Sequence, residues 1–135
     1  MAAQFHLEII TPTKVYDEGQ VDYLRAPGVD GAFGVLAGHT ASIMALSIGE
    51  IKVVKGSVEK VYAATKGFAE ISKEGVQLLV ESAEPQDDID LTRAQEAYDR
   101  AKEHLSRKQD EMEDELRALR ALERSMNRLK VAQKK

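Results

Sequence analysis

Glu84-Pro85-Gln86-Asp87-Asp88-Ile89-Asp90-Leu91-Thr92-Arg93-Ala94 is the stretch that decides the fold, because the residues on its two sides obey different rules. All nine glycines of the 135-residue chain lie at or before Gly75, and Pro85 is the last of three prolines. The fifty residues after Pro85 contain neither type. Gly and Pro punctuate turns and break helices, so their disappearance marks a structural boundary near residues 85 to 88. The chain divides there into a body, residues 1–86, and a tail, residues 87–135.

Upstream of the boundary the pattern is β. Runs such as Phe5-His6-Leu7-Glu8-Ile9, Gln20-Val21-Asp22-Tyr23-Leu24, Ile51-Lys52-Val53-Val54, Val58-Glu59-Lys60-Val61-Tyr62 and Val76-Gln77-Leu78-Leu79-Val80 are rich in β-branched and aromatic residues and largely alternate. Turn signals separate them: Thr11-Pro12, Pro27-Gly28, Asp30-Gly31, Lys55-Gly56, Lys66-Gly67 and Lys73-Glu74-Gly75. Many short strands at close spacing predict an antiparallel β-sandwich or flattened barrel. An α/β domain would need crossover helices, for which the spacing leaves no room.

Downstream, the period becomes helical. Ala94, Ala97, Tyr98, Ala101 and Leu105 share one helix face, and Met112, Leu116, Leu119, Leu122, Met126 and Leu129 share another. Asp90 is the expected N-cap, and residues 106–110 are the expected turn of a two-helix hairpin. That turn contains no true breaker. The same residues would also run as one rod on the order of 60 Å long, at a rise of about 1.5 Å per residue. A weak hinge between two good helices suits a conformational switch, with a permanently folded hairpin as the plainer alternative.

Charge follows the same division. Residues 1–87 carry 7 basic and 12 acidic side chains, and residues 88–135 carry 12 basic and 11 acidic. Within the tail, Asp110, Glu111, Glu113, Asp114 and Glu115 form an acidic knot, whereas residues 116–135 hold seven basic groups against Glu123 alone. An acidic body thus carries an arm whose basic tip, with Arg117, Arg120, Arg124 and Arg128, suits an acidic partner surface.

Several function classes fall away. No window approaches the roughly 18 to 20 apolar residues of a membrane-spanning helix, and Met1-Ala2-Ala3-Gln4-Phe5-His6 lacks the basic and apolar regions of a signal peptide. Without cysteine there is no disulfide, thiolate nucleophile or Cys-based metal site. A net charge of −4 argues against a general nucleic-acid binder. Gly34 and Gly38 have three residues between them and are followed by His39-Thr40, so the P-loop spacing and its lysine are both missing. His6, His39 and His104 show no ligand spacing, and Ser42, Ser47 and Ser57 lie outside any nucleophile elbow. The expectation is a protein that is not an enzyme, with no metal and no required cofactor.

One tail feature has the chemistry for a charged small molecule. Asp90 and Arg93 lie three residues apart at a helix start, and Arg100 follows Arg93 by seven, on the same side, with Glu84 upstream. The plainer reading is an N-cap with an i,i+3 ion pair.

Taken in order, four segments carry a family resemblance: Thr11-Pro12 with Val15-Tyr16; Gly28-Val29-Asp30-Gly31-Ala32-Phe33-Gly34-Val35-Leu36 leading to Gly38-His39-Thr40; Lys66-Gly67-Phe68-Ala69-Glu70; and Ile89-Asp90-x-x-Arg93-Ala94. Their order and the β-then-two-helices layout resemble the epsilon subunit of F-type rotary ATP synthases over essentially the whole chain. Ala37 and Ala41 replace prolines common around the histidine, and Ala32 stands where an acidic residue is frequent. The resemblance implies a rotor subunit whose body docks on the gamma subunit and the c-ring. It implies an arm that extends toward the catalytic beta and alpha subunits and inhibits ATP hydrolysis. Arg117, Arg120, Arg124 and Arg128 are then the expected inhibitory contacts. It further implies ATP as a regulatory ligand of the folded hairpin, through Ile89, Asp90, Arg93 and Ala94 with Glu84 and Arg100 beside them, and a place on the cytoplasmic face of a bacterial plasma membrane, held there only through the complex. The competing classes are a stand-alone β-sandwich adaptor, a nucleic-acid-binding module using the basic helix, and a self-associating coiled-coil scaffold. Against the last two stand the lack of aromatics among the arginines and the shortness of the apolar repeat.

Overall fold

The computed structural model describes residues 3–107 and 112–134 and divides into two compact units, Met1–Pro85 and Gln86–Lys135. The first unit holds ten strands: β1 (Phe5–Ile10), β2 (Val15–Val21), β3 (Tyr23–Gly28), β4 (Gly31–Val35), β5 (Ser42–Leu46), β6 (Gly49–Lys55), β7 (Val58–Ala64), β8 (Gly67–Ser72), β9 (Gly75–Val80) and β10 (Ala83–Pro85). They form one sheet in the order β10-β7-β6-β3-β5-β8-β9-β1-β2, with β4 paired to β3. Pairing is antiparallel except between β1 and β9, which run parallel.

The sheet folds on itself around a core that includes Leu7, Ile9, Leu24, Ile51, Tyr62 and Leu78, all fully buried. At roughly 1.5–3 kcal/mol for each large apolar side chain buried, such a core accounts for the body as a folding unit. Its two end strands meet side chain to backbone: the Tyr16 hydroxyl on β2 donates to the Ala83 carbonyl on β10 at 3.4 Å.

Glu18 strengthens this seam by an irregularity of register. Between Leu7↔Gly19 and Glu8↔Asp17 the β1–β2 ladder shifts, leaving Glu18 as the extra residue of a β-bulge, with Gly19 at φ 68° beside it. A bulge re-aims side chains, and here it buries a carboxylate. Glu18 accepts from the Tyr62 hydroxyl and, at 2.9 Å, from the Lys60 ammonium, both on β7. Burial raises the pKa of this carboxyl, but the hydrogen bonds from Tyr62 and Lys60, with the charges of Lys60 and Lys55, outweigh it and hold the group below its usual range. The Tyr62 ring also meets Tyr16 edge-on at 5.3 Å.

The expected strand over residues 20–24 is in fact the end of β2 and the start of β3, broken at Asp22. The Asp22 carboxylate accepts the Gly56 amide and its own amide donates to Val54, so it bonds outside the ladder and ends the run.

The second unit contains a 3₁₀ turn (Gln86–Asp88), α1 (Leu91–Ser106) and α2 (Met112–Gln133), with α1 and α2 packed on each other. The expected turn at 106–110 falls largely outside the described residues, as do Asp110 and Glu111 of the acidic knot; Ser106 is the last residue of α1. Only part of the expected apolar face of α2 packs, with Leu122 and Leu129 half-buried beside Ala118 and Ser125. Met112, Leu116, Leu119 and Met126 are exposed, and Ala118, Ser125 and Val131 are buried. The cause lies in α1, whose packed face is built from Ala94 and Ala101. Alanines let helices approach closely, and the partner face then has to be small as well.

Candidate functional site

Two surfaces emerge, one in each unit. On the body, β5, β8, β9 and β1 align one apolar row across the outside of the sheet: Ala45 opposite Phe68, Phe68 opposite Leu79, and Leu79 opposite Ile10. Phe68 is 57% exposed, Leu79 42% and Ile43, two residues before Ala45 on the same face, 74%. Large apolar side chains in the middle of regular strands, exposed side by side, mark a docking face. The row borders an open groove of about 660 Å³ whose wall includes Ile10, Pro12, Phe68 and Leu79. Lys66 and Glu81, 3.8 Å apart, stand at its edge. Gly67 allows β8 to lie this close to β9, since a Cβ there would fall 1.9 Å from the Leu79 carbonyl oxygen.

On the arm, the segment from Ile89 to Ala94 resolves into helix-start chemistry. Asp90 is the N-cap of α1, and its carboxylate accepts the backbone N–H of Arg93 at 3.0 Å, a contact worth about 1 kcal/mol. The expected Asp90–Arg93 ion pair is replaced by this cap, since it is the amide of Arg93 that Asp90 engages. Ile89 and Ala94 occupy the N′ and N4 positions flanking the cap, the hydrophobic-staple pair, and both are buried. Arg93 and Arg100 are exposed, two turns apart on one side of α1. Glu84 lies on β10, opposite Ala63, in the other unit.

Helix α2 carries three faces, as its steps of about 100° per residue require. Ala118 and Ser125 form the packed face. Met112, Leu116, Leu119 and Met126 line one flank, exposed. Arg117, Arg120 and Arg124 line the other, exposed, with Arg128 half-buried at its end. The tip is therefore amphipathic outside its packed face, which a single apolar stripe through the leucines and methionines does not distinguish. The small residues Ala118, Ala121 and Ser125 at spacings of three and four were the available signal. For the sheet, the signal was Leu79, which sits out of phase among Val76, Leu78 and Val80.

Among the described residues no group of three or more His, Cys, Asp or Glu is placed to hold a metal, and no helix is long and apolar enough to cross a membrane.

The two halves match two family models: the ATP synthase delta/epsilon chain β-sandwich domain over residues 4–86 and the delta/epsilon long α-helix domain over residues 87–133. The ATP synthase epsilon chain of Nitratidesulfovibrio vulgaris (strain DP4) is 42% identical over 132 residues, 97% of each chain. That of Desulforamulus reducens is 37% identical over 133 residues, 98% of this chain and 100% of its own. In fold, the chain is similar to one in the Euglena gracilis mitochondrial ATP synthase OSCP/F1/c-ring assembly, with a TM-score of 0.80 at 23% identity over 94% of this chain and 80% of that one. A chain of the Tetrahymena thermophila mitochondrial ATP synthase central stalk and c-ring gives 0.69 at 15%, over 96% of each.

Proposed function

The chain belongs to the ATP synthase delta/epsilon family, with epsilon chains as its relatives, and from that premise we propose that it is a non-catalytic rotor subunit. Its body joins the gamma subunit to the c-ring, and its arm restrains ATP hydrolysis. The apolar row of Ile43, Phe68 and Leu79 carries the docking half of this reading, because an apolar face on a sheet that already has its own core is left to meet a partner. The solved chains of like fold come from central-stalk and c-ring assemblies, which supports gamma as the occupant.

The arm supplies regulation through a conformational equilibrium. Folded, it packs α1 on α2 through small residues; extended, it presents the arginine and the methionine/leucine flanks of α2 to the catalytic beta and alpha subunits. The membrane is reached only through the complex, at the cytoplasmic face in a bacterium. ATP acts as a ligand of the folded arm, with Arg93 and Arg100 as its phosphate contacts, and a ligand selective for the folded arm opposes extension.

Replacing Phe68 with Asp tests the docking. The substitution sets a charge in a desolvated contact without touching the core, so gamma binding should fall at least tenfold while the melting temperature of the free chain holds. Unchanged gamma affinity would place the docking surface elsewhere.

A further inference from the structure

We propose that Gln86 is a latch that fastens the free end of the arm, and that releasing it is a step in arm extension. Gln86 opens the 3₁₀ turn ahead of α1, yet its side-chain amide reaches the far end of α2. Its Nε2 donates to the Val131 carbonyl at 2.9 Å and also to the Lys134 carbonyl. The last carbonyls of a helix lack their i+4 amide donors and form the negative end of its dipole; that of Val131 accepts the Lys134 amide at 3.1 Å, and Gln86 fills its second lone pair. α2 ends at Gln133, so the side chain of Gln86 caps it from 45 residues away in sequence. Val131, whose carbonyl takes one of these bonds, is itself fully buried.

The latch is specific to the folded arm. If α2 swings out as a continuation of α1, its last turn leaves Gln86 behind, because the two lie at opposite ends of the arm. The amide hydrogen bonds are then exchanged for water. A neutral hydrogen bond of this kind contributes a factor of roughly two to twelve to the folded population, enough to tilt the equilibrium without locking it. The small-residue face along the rest of α1 and α2 leaves the terminal clasp a large share in deciding which form prevails.

This inference rests on the reading of a movable arm, and the two fail separately. Hydrogen exchange of the last α2 turn in the full free chain reads the latch alone. Gln86→Ala should raise exchange there roughly two- to twelvefold. Gln86→Glu, which removes the donor and sets a negative charge against the carbonyls, should raise it at least as far. Gln86→Lys, which restores a donor and adds a cation at the negative end of the dipole, should keep wild-type protection. Wild-type exchange in the Ala and Glu variants, or loss in the Lys variant equal to that in Ala, would overturn the latch. In the assembled complex, Gln86→Ala should deepen inhibition of ATP hydrolysis. Faster exchange with unchanged inhibition would uphold the latch and refute the movable arm.

Discussion

Ala101 offers the sharpest perturbation of the arm. It is 6% exposed on the face of α1 that packs α2, one of the alanines that set the close approach of the helices, with Ala118 and Ser125 at 5% and 2% on the other side. Ala101→Leu puts three more carbons into that contact. Inserting methylenes into a filled interface costs about 1–3 kcal/mol, which moves the folded-to-open ratio by roughly 5- to 150-fold. Leucine is nearly as good a helix former as alanine, so α1 itself survives the change. The body has its own core, in which Ala101 takes no part. The chain contains no cysteine, so labels attached through Glu96→Cys and Glu123→Cys, both at exposed positions, report the hairpin directly. A continuous helix would hold the two sites on the order of 40 Å apart at about 1.5 Å per residue. The expected outcome is a gain of the long-distance population, deeper inhibition of ATP hydrolysis in the complex and an unchanged melt of the body. A distance distribution identical to that of the wild type would refute the idea that close alanine packing holds the hairpin shut.

Two further predictions concern the seam and the ligand. Tyr62→Phe removes a donor from the buried Glu18 carboxylate and should destabilise the isolated body, residues 1–85, by roughly 1.5–3 kcal/mol at neutral pH. Glu18 has its folded pKa below the unfolded value, so the stability it contributes is present above about pH 4.3 and is lost as the pH falls through the folded value; the deficit of the variant should therefore shrink in acid. Thermal melts across pH check this, and a deficit independent of pH would count against it. For the ligand, Arg93→Ala should weaken ATP binding to the free chain by roughly 1.5–3 kcal/mol in titration calorimetry, and no heat from wild type at millimolar ATP would leave the Ile89–Ala94 segment as a helix cap alone.

Much of the architecture was legible from local chemistry. The loss of Gly and Pro after residue 85 announces the helices, and Asp90 caps the first of them as its residue type predicts. Phase was harder to read. β2 changes register at Glu18, and a bulge leaves no mark in a hydrophobicity pattern, so nothing in the sequence singles out Glu18 as a buried carboxylate. In α2 the leucines and methionines outweigh the alanines in any apolar average, yet fit to an alanine face buries Ala118 and Ser125 most deeply, half-buries Leu122 and Leu129, and leaves Met112, Leu116, Leu119 and Met126 exposed. The same bias hid the exposed Phe68 and Leu79, because strand alternation says which residues share a face but not which faces a partner covers. The reach of Gln86 to Val131 spans the whole arm and has no sequence signature at all.

The central claim is that the arm restrains hydrolysis through the outer faces of α2, and the ATPase rate of the assembled complex tests it most directly. Three forms should be compared: wild type, a chain ending after residue 87, and a chain with Arg117, Arg120, Arg124 and Arg128 all replaced by alanine. Alanine preserves the helix, so the last form changes charge and reach while leaving the fold of α2 in place. Truncation should raise the rate most and the fourfold substitution should raise it part or all of the way, with assembly intact in each because the body docks on its own. Equal rates in all three would contradict the claim, and would leave this chain as a coupling piece of the rotor with an arm that plays no part in inhibition.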